Sequence, residues 1–454
     1  MNAMKTLLEK QHRWFKANAP HDYAPRKKAL ETLKSLIVNN ERAILEALQK
    51  DLGKSEFEAY ATEVGYTLFS LSHTIKNLKR WMKKTKVKTP FFHGFTKSWM
   101  QPEPLGSVLI LAPFNYPFHL LVEPLIGALA AGNTAILKPS EQTPNTETLL
   151  KTLFETYFDP EQVALVTGGK EVSSELTKLP FDYIFFTGSP SVGRKVYEAA
   201  SKNLVPVTLE LGGKSPAIVT ESADLETAAR RIVFGKFINA GQTCIAPDYL
   251  YVDRKIKDAF LVELKNALDA MYPVDAPHLG KILNPDHFDR IQSLVDDSKV
   301  LFDYRLEKDT LTMTPIIMDD VDWSMRVMEE EIFGPVLPIL TYDDFDKMIE
   351  TIKEKPKPLA LYLFTQFKNT EKRVLSEISS GSVAINDTIT QVANVHLPFG
   401  GVGKSGFGGY HGKYSFDTFS HYKTVVKKRT FFDPSLAYPP YTKKKQRLLR
   451  RVFK

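Results

Sequence analysis

From Gly106 onward the chain alternates short apolar runs with amphipathic stretches of helical spacing, and this alternation constrains its fold more than any other feature. Residues 107–112, 134–138, 163–166 and 183–186 read as strands. Residues 120–131 and 145–158 read as helices between them, the first ending at Gly132-Asn133, and another helix opens near Pro190. Strands with few polar positions are buried on both faces, and strands separated by helices form a parallel sheet covered on both sides. A second series begins near Pro216, with strand 217–219, helix 225–239, strand 249–252 and helix 257–271. Residues 338–342, 361–365 and 382–386 look like further strands. Before Gly106, residues 23–40, 41–52 and 56–84 show apolar positions three and four apart and read as helices. The basic stretch 83–94, broken by Pro and Gly, reads as a strand or excursion. The result is two α/β units in series, without an internal repeat or a low-complexity linker.

Composition narrows the class. A chain of 454 residues suggests two or three domains. With 43% hydrophobic and 25% charged residues it is globular, which excludes disorder, collagen and a disulfide-stapled miniprotein. Cys244 is the only cysteine, so no intramolecular disulfide forms and a reducing, cytoplasmic compartment is expected. The net charge of +7 is matched by Lys443, Lys444, Lys445, Arg447, Arg450, Arg451 and Lys454, with no acid after Asp433. The rest of the chain is neutral, so a nucleic-acid-coating surface is not indicated. The charge-free stretch 104–122 approaches membrane-spanning length, but Pro113, Asn115, Pro117 and His119 interrupt it and Glu123 follows. It reads as a buried strand and loop, and no transmembrane anchor is expected. The first fifteen residues contain no apolar run of signal-peptide length. The charge run 76–88 and the basic tail read as solvated surface. Leu448, Leu449, Val452 and Phe453 among the tail's cations also allow a weak peripheral membrane contact.

Two glycine motifs mislead. Gly403-Lys404-Ser405 would end a phosphate-binding P-loop, but Pro398 stands where its first glycine belongs. Gly401, Gly403 and Gly406 spell a dinucleotide fingerprint without the strand before it or the helix after it. This run reads as a close-packed loop. Residues 185–194 are a better phosphate site, because an apolar strand runs into Gly188, an N-cap Ser189 and a helix with Pro190 in its first turn. The free N–H groups of such a turn can hold a phosphate.

Cys244 follows Asn239-Ala240-Gly241-Gln242-Thr243, a polar, loop-like run that suggests an accessible thiol. A lone cysteine is otherwise a small buried hydrophobe. Glu210 lies between Leu209 and Leu211, an apolar setting that raises a carboxyl pKa towards general-base values. The alternative for Glu210 is a solvent-facing strand residue.

With these residues in view, the chain resembles the aldehyde dehydrogenase superfamily, and within it the class 3-like members. The motifs run in family order: 113–117 (Pro-Phe-Asn-Tyr-Pro), 138–141 (Lys-Pro-Ser-Glu), 186–189 (Phe-Thr-Gly-Ser), 210–214 (Glu-Leu-Gly-Gly-Lys) and 241–244 (Gly-Gln-Thr-Cys). They continue with 330–335 (Glu-Glu-Ile-Phe-Gly-Pro) and 398–401 (Pro-Phe-Gly-Gly), and the stretch 410–421 looks like the class 3 branch. The resemblance implies a Rossmann-type cofactor domain (1–81 and 106–209), an α/β catalytic domain (210–395) and a bridging, oligomerisation arm (82–105 and 396–454). It implies a homodimer that uses NAD or NADP to oxidise aliphatic or aromatic aldehydes to acids.

In that scheme Cys244 attacks the aldehyde, the Asn115 amide and the Cys244 N–H hold the oxyanion, and Glu210 activates the water that hydrolyses the thioester. Lys138 and Glu141 resemble the adenosine-ribose ligands. Gly188 and Ser189 would meet the pyrophosphate, with Gly193 and Leu211 also in the cofactor set. Gly212, with Gly213, would leave backbone room beside the nicotinamide. Glu331 would bind the nicotinamide ribose, with Phe333 packed nearby; without the resemblance Glu331 reads as a solvated acid. No metal is implied. Two alternatives are a thiol-dependent esterase or hydrolase, for which no partner histidine is evident, and a CoA-acylating enzyme, which Glu210 disfavours.

Overall fold

The computed structural model describes residues 2–18, 22–93, 95–273, 279–431, 436 and 438–453. Gly94 and Lys454, and the side chain of Val452, lie outside this description. Among the described residues the strands form two six-stranded sheets, a three-stranded sheet and a two-stranded ribbon.

The first sheet runs in the order Gly406–Phe407, Val207–Leu211, Tyr183–Gly188, Ser107–Leu111, Thr134–Lys138, Val163–Leu165. All pairings are parallel except that of Gly406–Phe407. Ser107–Leu111 and Thr134–Lys138 are buried at every position, as their mostly apolar sequences allow. The chain moves outward from Ser107–Leu111 in one direction through Thr134–Lys138 and in the other through Tyr183–Gly188. This reversal opens a crevice at the carboxyl ends of the central strands, where open α/β sheets bind ligands. The second sheet runs Ile316–Met318, Val336–Tyr342, Tyr249–Asp253, Pro216–Val219, Ala360–Phe364, Ser382–Ile385, parallel throughout.

The charge-free stretch is a strand and loop leading into helix His119–Ala131, which is buried on every face. Among the described residues, no helix is long and apolar enough to cross a membrane. Asn133, just past the helix, accepts from the N–H groups of Leu105 and Gly106 and donates to the carbonyls of Ala128 and Phe419.

The structure departs from the periodicity reading in particular places. The helix expected over 56–84 is Glu56–Ala59, a π-turn at Tyr60–Val64, then Gly65–Trp81. The π-turn holds Glu63, fully buried against Lys54, and a single extra residue per turn leaves the apolar spacing almost unchanged. Thr96–Pro104 and Ser420–Lys428 pair antiparallel over nine positions with Thr85–Val87 alongside. Their polar, half-exposed strands carry little apolar signal. Val207–Leu211 belongs entirely to the first sheet, so the sheets divide after Leu211 rather than between residues 209 and 210. Part of the glycine run is a strand rather than a loop, because Gly406 and Phe407 pair with Glu210 and Leu209. At Gly406, with φ of 123°, a Cβ would strike the Leu209 carbonyl.

Candidate active site

A cavity of about 1520 Å³ lies between the sheets. Its wall includes Asn115, Lys138, Glu141, Gly188, Ser189, Glu210, Leu211, Gly212, Cys244, Glu331 and Phe333. Gly193 is the one expected site residue that is not on it; it sits behind Leu211, where a Cβ would come within 2.6 Å of the Leu211 side chain. Lys138, Gly188 and Leu211 each end a strand of the first sheet, and Asn115 and Ser189 follow two of its strands. The parallel topology therefore gathers residues that are far apart in sequence.

Ser189 caps the twelve-residue helix Pro190–Ser201, its Oγ accepting from the Val192 N–H at 3.4 Å. A Cβ at Gly188 would come within 2.6 Å of the Phe186 ring, so glycine keeps the backbone clear there. Lys138 is buried; its Nζ donates to the Pro139 carbonyl at 2.5 Å and faces the Glu141 carboxylate at 3.4 Å.

Cys244 follows a strained turn. Asn239, Ala240 and Gly241 have φ of 53°, 53° and 75°, and a Cβ on Gly241 would strike the Gly334 carbonyl. Consecutive left-handed residues persist only where surroundings fix them. Here the Gln242 amide donates to the Asn239 and Lys281 carbonyls and accepts from the Leu283 N–H. The Asn115 amide donates to the Gln242 carbonyl at 3.0 Å, and the Tyr116 hydroxyl meets that of Thr243 at 2.7 Å. The oxyanion candidate and the turn bearing the thiol are thus tied directly together.

The electrostatics revise one expectation. The thiol is half-buried on the cavity wall rather than freely exposed. Burial, with Glu331 and Glu210 nearby, pushes its pKa up to about 12, so the site as it stands does not favour the thiolate. Deprotonation must accompany attack. Glu210 is 2% exposed with neither carboxylate oxygen hydrogen-bonded, and burial holds its pKa well above the ordinary value. Once ionised, an uncompensated buried carboxylate facing a cavity is a strong proton acceptor.

Glu331 is not a solvated acid. Its carboxylate lies where a Gly212 Cβ would be and accepts from the Gly213 N–H, and burial raises its pKa to about 8. The room at Gly212 therefore serves Glu331. Lys214 holds the segment before it, with Nζ on Asp248 at 2.5 Å and on the carbonyls of Val327 and Glu330. Arg290 grips the Ile332 carbonyl from the other side at 2.6 Å.

Sequence reasoning missed a buried pair behind Asn115. Lys54 Nζ contacts Glu63 at 2.5 Å, donates to the Asn115 carbonyl at 2.9 Å and lies 4.0 Å from the centre of the Tyr116 ring. Glu63 also accepts from the N–H groups of Phe118 and His119. The Asn239 amide donates to the same Asn115 carbonyl. Neither Lys54 nor Glu63 has a local motif; only the unusual burial of both would reveal them. Lys54→Met should cost about 3–5 kcal/mol of stability by stranding the Glu63 charge. Replacing both with methionine should restore much of that loss, as urea unfolding would show.

The geometry can be set beside known proteins. The family model described as "Aldehyde dehydrogenase family" matches residues 2–425. The 4,4'-diaponeurosporen-aldehyde dehydrogenase of Staphylococcus aureus is 48% identical over the full length of both chains. A substrate-bound structure of S. aureus AldH superposes with a TM-score of 0.98, at 48% identity and full coverage of both. Mouse aldehyde dehydrogenase family 3 member A2 is 43% identical over 92% of this chain and 87% of that one. P. syringae AldA, an indole-3-acetaldehyde dehydrogenase solved with NAD+, has a TM-score of 0.85 at 27% identity, covering 94% of this chain and 89% of that one. The chain belongs to the aldehyde dehydrogenase family, whose reaction is the oxidation of aldehydes to carboxylic acids with a nicotinamide cofactor.

Proposed function

We propose that the protein oxidises medium- or long-chain aliphatic or aromatic aldehydes to acids with Cys244 as nucleophile, Asn115 as oxyanion donor and Glu210 as base. The observation that carries this reading is the buried, unpaired Glu210 carboxyl sharing one cavity wall with Cys244 and Asn115. Cys244 Sγ adds to the aldehyde carbon as its proton passes to solvent water in the cavity, and Asn115 Nδ2 and the Cys244 N–H steady the oxyanion, each such donor worth about 3 kcal/mol. The bound nicotinamide supplies the hydride acceptor. Glu210 then takes a proton from water as that water attacks the Cys244 thioester, releasing the acid.

The residues fit a dinucleotide. The Ser189 helix end suits the pyrophosphate, Lys138 and Glu141 suit the adenosine ribose, and Glu331 with Phe333 suits the nicotinamide ribose. A carboxylate at Glu141 repels a 2′-phosphate and favours NAD, whereas Lys138 beside it admits NADP. The first sheet with its helices would be the cofactor domain and the second sheet the catalytic domain. The three-stranded sheet would be the arm of a homodimer, and the lone cysteine suits the cytoplasm. The relative named for 4,4'-diaponeurosporen-aldehyde supports an apolar substrate. A screen of aliphatic and aromatic aldehydes, with NAD and NADP in parallel, tests the reading. Turnover confined to short polar aldehydes would overturn the substrate class.

The thiol's pKa has a clean readout, since Cys244 is the only cysteine. In cofactor-free protein, alkylation by iodoacetamide should rise about tenfold per pH unit from pH ~7 to pH ~10, because the reactive thiolate stays a minor species below a pKa of about 12. A plateau below about pH 9 would contradict this.

A further inference from the structure

The loop between strand Ser107–Leu111 and helix His119–Ala131 carries Asn115 and Tyr116, and both reach the turn that bears the thiol. A loop has no ladder of its own to fix its side chains, so the hold must come from neighbouring elements. Here it comes from behind, from Lys54 and Glu63, neither of which lines the cavity. Glu63 sits in the π-turn Tyr60–Val64, a turn type found mostly as single bulges and often at functional sites. Its Oε1 meets Lys54 Nζ at 2.5 Å, and its Oε2 accepts from the N–H groups of Phe118 at 3.0 Å and His119 at 3.2 Å. A carboxylate suits that helix end, where free N–H groups gather. Lys54 Nζ also donates to the Asn115 carbonyl at 2.9 Å and lies over the Tyr116 ring. The pair therefore grips both the middle of the loop and its exit into the helix.

The Asn115 carbonyl is also where the loop meets the Cys244 turn. It accepts from the Asn239 amide, and the Asn239 N–H is held in turn by Glu58 Oε1 at 2.9 Å. An ion pair with both members fully buried is seldom the most stable filling of a core, because each charge loses its hydration. Apolar side chains of similar volume often serve stability as well or better, and such a pair is best explained where it fixes one geometry among several. The geometry fixed here is that of an amide whose worth as an oxyanion donor depends on being in place before charge develops. Asn115 Nδ2 gives one N–H to the Gln242 carbonyl at 3.0 Å and keeps its second for the substrate oxygen. With the backbone of the same residue clamped, only the amide's own torsions remain, and the Gln242 contact limits those.

We propose that Lys54, buttressed by Glu63, is the positioning residue of the oxyanion site: it holds the Asn115 backbone so that the amide meets the developing oxyanion at hydrogen-bond distance. It acts through Asn115 and touches neither substrate nor cofactor. The proposal rests on the reading of Asn115 as the oxyanion donor. A misplacement of about 1 Å at a reacting centre can lower a rate about 10²-fold, so the pair has an effect on turnover distinct from its effect on stability.

The test is single-turnover NADH formation by the full-length protein carrying Lys54→Met with Glu63→Met, Asn115→Ala, or all three substitutions. The paired methionines strand no charge, so the fold should survive. Their rate should fall about 10–100-fold, while NAD+ affinity from cofactor-fluorescence titration stays within about twofold. Asn115→Ala should lower the rate about 10²–10³-fold. Adding the paired methionines to Asn115→Ala should lower it less than about threefold further, because the donor they place is already gone. In Lys54→Met with Glu63→Gln the glutamine oxygen still accepts at the helix end, so the loss confined to the Asn115 carbonyl should match that of the paired methionines. Alkylation of Cys244 by iodoacetamide forms no oxyanion, and its rate should stay within about threefold in every variant. A wild-type rate with the paired methionines, a full multiplicative loss on top of Asn115→Ala, or alkylation falling in step with turnover would each overturn the proposal. A wild-type rate in Asn115→Ala would instead remove the amide from the reaction, and the proposal with it.

Discussion

Cys244→Ala should reduce NAD(P)H formation by a factor on the order of 10⁴ or more, while cofactor affinity stays within a few-fold. The chain has no second cysteine to take its place. The cofactor contacts proposed for Ser189, Lys138 and Glu331 do not involve the thiol, so binding and chemistry should separate. Substitution removes one small half-buried side chain from a turn held by Gln242 and Asn239, so the fold should survive. Cofactor-fluorescence titration beside a turnover assay reads both quantities. Turnover at the wild-type rate would remove Cys244 from the mechanism.

Glu210→Gln should slow steady-state turnover by about 10²–10⁴-fold, the usual contribution of a positioned base. The loss should fall on thioester hydrolysis rather than on the steps before it. The first equivalent of NAD(P)H then forms as a burst, and acyl-enzyme accumulates behind it. Because both carboxylate oxygens of Glu210 lack partners, glutamine at this buried position should leave stability unchanged or raised. A melting temperature no lower than that of the wild type distinguishes lost chemistry from lost folding. The wild-type deacylation rate should rise as pH climbs through the Glu210 pKa, since only the ionised carboxylate can accept the proton. In Glu210→Gln that dependence should flatten.

The strands and helices of both α/β units were legible because doubly buried strands are apolar without interruption. Thr134–Lys138 is such a strand around Ala135–Leu137, whereas helix Lys257–Met271 was legible from apolar positions three and four apart. Val207–Leu211 was harder, since Glu210 interrupts its apolar run; the same residue that hides the strand marks the site. Thr96–Pro104 and Ser420–Lys428 escaped because their partners lie more than 300 residues apart and their faces are half solvated. Cys244, Glu210 and Asn115 could be picked out by chemistry and motif order. The raised thiol pKa could not, because it depends first on burial and then on Glu331 arriving from almost ninety residues downstream. Lys54 and Glu63 were equally hidden, since a lysine and a glutamate nine residues apart ordinarily point into solvent.

In the proposed reaction Cys244 carries the acyl group and Glu210 releases it. Mass analysis of the Cys244 peptide, quenched in acid after Glu210→Gln is mixed with aldehyde and NAD+, measures this directly. A mass increase equal to the acyl group is expected on that peptide at close to one per chain, far above the wild-type level. An unmodified Cys244 peptide despite a full burst of NADH, or equal occupancy in wild type and variant, would contradict it.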